Sequence, residues 1–388
     1  MKSIRKSFRR RSGSIRERLS PLRRRPSQSH QAEASWRETG EPKLLLTADT
    51  LYFDPTIFQQ FKEEGFDIAY LPHATPPKQY QEQLQRFADV LEERDRYAIV
   101  AYGESAAVVL EACTAAMPRL CAVVAYYPTS VPNANCAYPP SLNYQIHLAE
   151  SQPFAAKLNC YTYHRSQVGF AEQDSQFYDR VGATLAWSRT IGCLRKGFDL
   201  TVDLAPAWER HLMAKYDKKD LEGTIESLAG DAYVNYVPVM TGGIGSDDLR
   251  HFYSEYFIPR NPSSLDIQLI SRTMGIDHVV DELYLSFRHT QEMPWILPGV
   301  PATDKFVEVA IVSIVGVRAG KLRHENVYWD QASVLAQIGL LDTRYIPPAF
   351  QTIDEGSKLK RLPVLGAESA QKVLNPESEE SNRLIIDG

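Results

Sequence analysis

The sequence predicts two domains of different class, a doubly wound α/β domain followed by an α+β domain. Three observations carry this prediction. At 388 residues the chain is too long for one ordinary hydrophobic core. Between Lys43 and Leu194, short and nearly continuous apolar runs alternate with amphipathic stretches, as buried parallel strands alternate with covering helices. Beyond Asp203 the order changes to helices first and long alternating runs after, which is the pattern of helices set against an antiparallel meander.

Taken in order, KLLLTA (43–48), FDIAYLP (66–72), RYAIVAYG (96–103), LCAVVAYYP (120–128), YQIHLAE (144–150) and NCYTYH (159–164) read as strands. Thr56–Glu64, Pro77–Glu93, Ser105–Ala116 and Gln176–Leu194 read as the helices between and after them. In the second half, Ala205–Lys215 and Lys218–Leu228 read as paired helices, and Ser246–Phe257 as a third. Leu265–Met274, His278–Thr290, Phe306–Arg318 and Leu322–Asp330 read as strands, followed by a helix over Ala332–Leu340. The expected boundaries are a basic arm at 1–40, a first domain at 41–202, a second at 203–345 and a tail at 346–388.

Charge is distributed unevenly. Residues 1–30 carry eleven Lys/Arg against the single acid Glu17, a local +10, so a formal charge of −5 leaves −15 on the rest. An acidic body argues against a nucleic-acid-binding fold. The arm is poor in apolar residues, as disordered segments are. Ile4, Phe8, Ile15, Leu19 and Leu22 fall at roughly helical spacing among its arginines. That leaves open a mitochondrial presequence, a membrane-surface helix, a nuclear signal or a plain solvated tail. Ser12 and Ser27 follow arginine runs, as sites for basophilic kinases do. Cys113, Cys121, Cys136, Cys160 and Cys193 include no CxxC pair and are odd in number, which implies no disulfide framework or zinc site and a reducing intracellular compartment. The apolar runs at Leu120–Tyr127 and Val309–Val317 fall well short of the ~20 residues a spanning helix needs, so no stable membrane insertion is expected. A cytoplasmic location is expected, with nucleus or mitochondrion as alternatives through the arm.

Gly103-Glu104-Ser105-Ala106-Ala107 follows a buried strand and opens a helix, the setting of a nucleophile elbow. This text, with FYDRVGATLAWSRTIGCLR (177–195), resembles the dienelactone hydrolase family of α/β-hydrolases over roughly Lys43–Asp199. The resemblance implies an α/β-hydrolase-like domain with Ser105 in the nucleophile's place, where the family usually has cysteine. The family's acid position corresponds to Gln152 in LAESQPF (148–154), and its histidine position to Val168 in YHRSQVGF (163–170). A serine without a base is a weak nucleophile. The domain is therefore expected to be degenerate, unless His164 is recruited with Glu150, Glu172 or Asp174. Otherwise Ser105 caps its helix.

The second domain resembles the SnoaL-like polyketide cyclases, whose fold is the nuclear transport factor two-like cone. YVNYVPVMTGGIG (233–245), LRHFYSEYFIP (249–259), SRTMGIDHVVDE (271–282), FRHTQEMPWILPGVPATDKFVEV (287–309) and GKLRHENVYWDQASVLAQIGLL (320–341) carry the likeness. It implies a curved sheet around a conical cavity for aromatic or polyketide-like ligands, worked by an Asp–His pair without a metal. Asp330 matches the carboxylate and His289 the histidine. Strand alternation puts His289 inward with Asp281, Leu283, Leu285 and Phe287. It is expected to put His324, Asn326, Tyr328 and Asp330 on the cavity face of the last strand, with Val327 and Trp329 outward. Asn235, Tyr236, Trp295 and Glu282 are further candidates to contact substrate. Each has a structural alternative: Asp330 as a helix cap, His289 as a core histidine, His324 as exposed strand polarity, and Trp295 as a rim residue.

No HxH, HExxH or Cys/His cluster occurs, and no glycine-rich phosphate loop follows a strand, so neither a metal nor a nucleotide cofactor is implied. Three readings stay open. The first is a cofactor-independent cyclase, isomerase or hydrolase of a small cyclic molecule, working through Asp330 and His289. The second is an esterase using Ser105. The third is a non-catalytic ligand-binding or dimerising protein with a pseudo-hydrolase domain.

Overall fold

The structure is a computed structural model that describes residues 42–73, 77–132, 137–153, 159–348 and 361–386. The expectations for the arm, Ser12, Ser27, Cys136 and part of the tail lie outside these residues. The described chain forms two compact units that meet in sequence between Asp203 and Leu204.

The first unit is built from β1 (Lys43–Ala48), α1 (Pro55–Glu63), β2 (Asp67–Pro72), α2 (Pro77–Gln85), β3 (Tyr97–Tyr102), α3 (Glu104–Ala112), β4 (Leu120–Tyr126), β5 (Asn143–Ala149), β6 (Cys160–Tyr163) and α4 (Arg180–Gly197). All six expected strands are present. They form one parallel sheet in the order β2-β1-β3-β4-β5-β6. Their unbroken hydrophobicity has a simple cause, since both faces are covered. Leu44, Val100, Val124 and Tyr126 pack with Phe61 of α1 and Leu194 of α4. Leu45, Ile99, Ala101 and Val123 pack with Leu84 of α2 and Leu110 of α3. Asp54 caps α1 ahead of Pro55, and Asp179 caps α4 through the N–H groups of Val181 and Gly182. The stretch 77–93 is shorter than expected as an α-helix, ending at Gln85 with a 3₁₀ turn at Phe87–Val90.

The second unit opens with α5 (Ala205–Leu212), which runs on into a π-helical turn at Met213–Lys218. Then come α6 (Leu221–Glu226), β7 (Leu228–Tyr236), β8 (Thr241–Ile244), α7 (Gly245–His251) with a second π turn at Phe252–Phe257, β9 (Asp266–Met274), β10 (His278–Arg288), β11 (Phe306–Arg318), β12 (Lys321–Trp329), α8 (Gln331–Ile338) and α9 (Ala367–Leu374). The sheet order is β8-β7-β12-β11-β10-β9, antiparallel throughout except where β7 runs parallel to β12. The expected meander is therefore β9 to β12. The β7–β8 hairpin, set at its far edge, has too little alternation to be read from sequence. Register shifts interrupt β10 at Glu282/Leu283, β11 at Gly316/Val317 and β12 between Leu322 and His324. Such bulges bend and twist a sheet. Trp208, Tyr236, Tyr253, Phe257 and Trp295 are fully or almost fully buried in its core.

Candidate functional site

In the first unit the decisive geometry is at the turn from β3 to α3. The apex of that turn is Gly103, with φ 69° and ψ −130°, a conformation that residues with side chains avoid. Ser105 lies two residues later, inside the helix. It is fully buried and its Oγ donates to Tyr102 O at 2.6 Å. The expectation that the turn lifts Ser105 above the sheet is thus overturned, because the lifted position carries a hydrogen atom. The Asp49 carboxylate accepts the N–H groups of both Glu104 and Ser105 at 2.8 Å, so the donors that could meet an oxyanion there are already bound to a resident anion. A Cβ at Gly103 would lie 2.2 Å from Asp49 Oδ2.

Gln152 is a loop clamp, accepting Ala149 N–H at 2.9 Å and donating to Pro128 O at 2.8 Å. Val168 is exposed. The recruited pair considered from sequence does form. Glu150 and His164 follow the neighbouring parallel strands β5 and β6, whose last residues Ala149 and Tyr163 are in register. His164 Nδ1 lies 2.7 Å from Glu150 Oε1, while Glu150 Oε2 accepts Arg165 N–H at 2.6 Å. The Arg165 amide, and then His164, hold the exposed Glu150 carboxyl below its ordinary range.

In the second unit Asp330 is exposed and spends its carboxylate on α8. Oδ1 accepts from Ala332 N at 3.0 Å and Ser333 N at 3.3 Å, and Oδ2 accepts the Ser333 hydroxyl. It is an N-cap, not an acid facing a cavity. His289 is fully buried, as its strand face predicts, but its partner is Thr303. Thr303 N–H donates to Nδ1 at 3.3 Å, with the Thr303 hydroxyl 3.0 Å from the same atom, which leaves the ring hydrogen on an unpartnered Nε2. Burial lowers its pKa. Asp330 and His289 are therefore not a pair.

The final strand faces the other way from expectation. Leu322, Glu325 and Val327 are buried, whereas His324 and Asn326 are half-buried and Tyr328 is 42% exposed. Counting inward from Leu322 puts 324, 326 and 328 inside, but the bulge before His324 shifts the alternation by one and exchanges the faces. On the outer face the His324 ring stacks on Tyr233 at 5.3 Å, and Asn326 Nδ2 donates to Tyr233 Oη at 3.3 Å. Asn235 pairs beside Asn326, and Glu282 accepts the Ser271 hydroxyl at 3.1 Å. Of the expected contact residues only Tyr236 and Trp295 point into the interior, where their rings lie 5.3 Å apart. Trp295 Nε1 donates to Asn261 at 2.9 Å.

What the interior does hold is a buried ionic cluster. Lys215 Nζ donates to both oxygens of Glu325 at 2.8 Å, and His211 Nε2 lies 3.7 Å from Glu325 Oε2. The ammonium sits 5.0–5.6 Å from the ring centres of Tyr216, Phe257 and Trp208. Burial would raise the Glu325 carboxyl, but Lys215 and then His211 outweigh it and hold it down to about 2. Burial lowers Lys215, and burial and then Lys215 lower His211. The Ser227 hydroxyl donates to Thr224 O, so it must accept from His211 Nδ1–H at 2.7 Å. In the neutral ring Nε2 then has no partner. One signal for this cluster was legible: Trp208, His211, Leu212 and Lys215 fall three, four and seven residues along one helical face. The space beside it, lined by Trp208, Tyr216, Leu283, Trp295, Ser313 and Glu325 among others, amounts to about 10 Å³. That is room for one water at most.

Solved structures of SnoaL-like and NTF2-like type are similar to about a third of this chain. TsrD from Streptomyces laurentii matches at 17% identity and TM-score 0.30, over 36% of this chain and 100% of its own. A candidate SnoaL-like polyketide cyclase from Jannaschia matches at 16% identity and TM-score 0.31, over 36% and 93%. AclR, a candidate hydroxylase from Streptomyces galilaeus, matches at 18% identity and TM-score 0.30, over 38% and 89%. No family model matches the sequence, and no curated protein does.

Among the described residues no group of three or more His, Cys, Asp or Glu side chains is placed to hold a metal ion. None of the described helices is long and apolar enough to cross a membrane. Cys113, Cys121, Cys160 and Cys193 are free thiols, and burial pushes Cys113 and Cys121 up to about 12.

Proposed function

We propose that this chain is a non-catalytic binding or assembly protein, in which a pseudo-hydrolase unit is joined to a SnoaL-like unit whose core is closely packed beside Lys215 and Glu325. The observation that carries the reading is the 10 Å³ left beside Lys215 and Glu325. Small-molecule pockets run to roughly 300–1,000 Å³, so a cyclic substrate has no place between Trp208 and Trp295 without repacking of the core. Glycine at the apex of the β3–α3 turn and the resident Asp49 carboxylate support the same reading for the first unit. Hydrolysis of p-nitrophenyl acetate and of simple lactones tests it. Rates equal to buffer, and equal in Ser105→Ala, are expected; turnover that Ser105→Ala abolishes would sink the reading.

One observation favours a second reading, proton transfer inside the cone. His211 presents a buried Nε2 without a partner to the Glu325 carboxylate, so Glu325 and His211 would take the roles expected of Asp330 and His289. This requires the interior to open around a ligand. Ligand-observed NMR with hydroxylated naphthalenes, comparing wild type with Trp295→Ala, separates the two readings. Saturable binding by wild type with deuterium exchange at a ligand carbon that Glu325→Gln abolishes supports the second; binding without exchange, or no binding, supports the first.

A further inference from the structure

The buried charge cluster of the second unit lies directly behind a surface cleft. The cleft measures about 200 Å³, and Arg210, Met213 and Ala214 line it from α5 and its π turn. His211 and Lys215 alternate with these residues along the same stretch and are fully buried on its other side. Ser227, between α6 and β7, belongs to both. It lines the cleft, and its Oγ is 2.7 Å from His211 Nδ1. The charged groups at the mouth are Arg210, Lys218, Glu226 and Asp220, the last committed to capping α6 through Gly223 N–H.

From Ser227 inward the contacts run in series. His211 Nε2 lies 3.7 Å from Glu325 Oε2, and the same oxygen accepts from Lys215 Nζ at 2.8 Å. Because the ring carries its hydrogen on Nδ1, toward Ser227, Nε2 faces the carboxylate as a bare acceptor. The remaining neighbours leave this order intact. Ser313 donates to Glu325 Oε1 at 3.4 Å, and the rings of Trp208 and Tyr253 flank His211 at 5.7 Å and 6.1 Å. His147 in the first unit makes a natural comparison. It is as deeply buried, but its ring nitrogens are held by Tyr163 at 2.7 Å and by Thr190 at 3.0 Å, inside the core between the sheet and α4.

We infer that Ser227 is the outlet of a proton path that joins Lys215 to solvent in the cleft. The Lys215 ammonium gives a proton to Glu325 Oε2, and the carboxyl passes it to His211 Nε2. The ring releases its Nδ1 hydrogen to Ser227 Oγ, and the hydroxyl, turning from Thr224 O, yields its own to water. One proton leaves. Lys215 becomes a neutral amine, and the ring ends with its hydrogen on Nε2, facing the carboxylate. The reverse sequence recharges the lysine. This goes beyond both readings above, since it needs no substrate, no turnover and no repacking around Trp208 and Trp295.

Saturation-transfer NMR on the isotope-labelled full chain, near neutral pH, reads how fast the His211 ring hydrogen and the Lys215 ammonium hydrogens exchange with water. The His211 hydrogen should exchange about tenfold or more faster than that of His147. Ser227→Ala should slow His211 and Lys215 about tenfold or more, and Ser227→Thr, which keeps the hydroxyl, should stay within about threefold of wild type. Loosened packing moves exchange the other way, because a destabilised variant opens more often and exchanges faster. A His211 rate no higher than that of His147, or a Ser227→Ala rate equal to or above wild type, overturns the inference. Should Ser227→Ala fail to fold, the two histidines of the wild-type chain decide alone. Ester hydrolysis or ligand binding bears on the readings above and leaves this result untouched.

Discussion

Replacing Glu325 by glutamine removes the charge that faces Lys215 while keeping the shape, and the size of the penalty follows from the geometry. Both side chains are almost wholly buried, and the carboxylate takes two N–H bonds at 2.8 Å. Removing one partner of a buried pair costs about 3–5 kcal/mol, because the other is left as an uncompensated charge. Two independent bounds agree with that range. A carboxyl held at about 2 instead of 4.5 contributes about 3 kcal/mol at neutral pH. The stranded ammonium can escape by losing its proton, which from an ordinary value of 10.5 costs about 5 kcal/mol at pH 7 and so sets a ceiling. The rings of Tyr216, Phe257 and Trp208 soften the loss by a fraction of this. Urea unfolding followed by tryptophan fluorescence reads the change directly, since Trp208 and Trp295 lie in the same core. Lys215→Met combined with Glu325→Leu should recover most of the loss. The acid limb gives a second check. The depressed Glu325 contributes fully above pH 4.5, its share is lost as pH falls toward 2, and that segment should vanish in Glu325→Gln. A single variant within about 0.5 kcal/mol of wild type, or a double variant no better than the single, would refute the reasoning.

Four further outcomes are expected. Gly103→Ala should destabilise by about 1–3 kcal/mol, from its positive φ and the 2.2 Å approach to Asp49, as chemical denaturation will measure. Gly316→Ala should displace the His324 ring, which a Cβ would approach to 2.4 Å; a double-mutant cycle with His324→Ala should then show positive coupling. Asp330→Ala should cost about 1 kcal/mol, as loss of a helix cap does, and Asp330→Asn much less; a larger loss for Asn in thermal melts would contradict the capping role. His147, bonded to Tyr163 and Thr190, is held down to about 3 by burial and then Arg189. The unfolded chain takes up its proton below pH 6.5 and the folded one does not, so stability should fall by up to about 1.4 kcal/mol per pH unit between 6.5 and 3. A flat stability profile over that window would contradict it.

Periodicity alone located six parallel strands, because burial on both faces makes each one continuously apolar, and it placed the four strands of the meander. It put Asp281, Leu283, Leu285, Phe287 and His289 on one inward face, because the extra residue at the 282/283 shift lies on β9 and β10 stays in unbroken register with β11. The family resemblance, and not periodicity, raised His164 with Glu150 as one of three possible acids. Periodicity could not place Ser105, since the sequence shows a serine near a turn but not which residue takes the positive φ at the apex. Nor could it orient the last strand. A single extra residue before His324 exchanges its two faces, and that bulge is fixed by pairing with β7 and β11, not by local sequence. The sequence by itself determined the six parallel strands, the four strands of the meander and their order, which follow from local hydrophobic patterning, but not the β7–β8 hairpin. Only the tertiary structure decided that Glu325 and not Asp330 faces inward, that Lys215 meets it there, and that about 10 Å³ is left beside them. Those are matters of register and packing between residues more than a hundred positions apart in the chain.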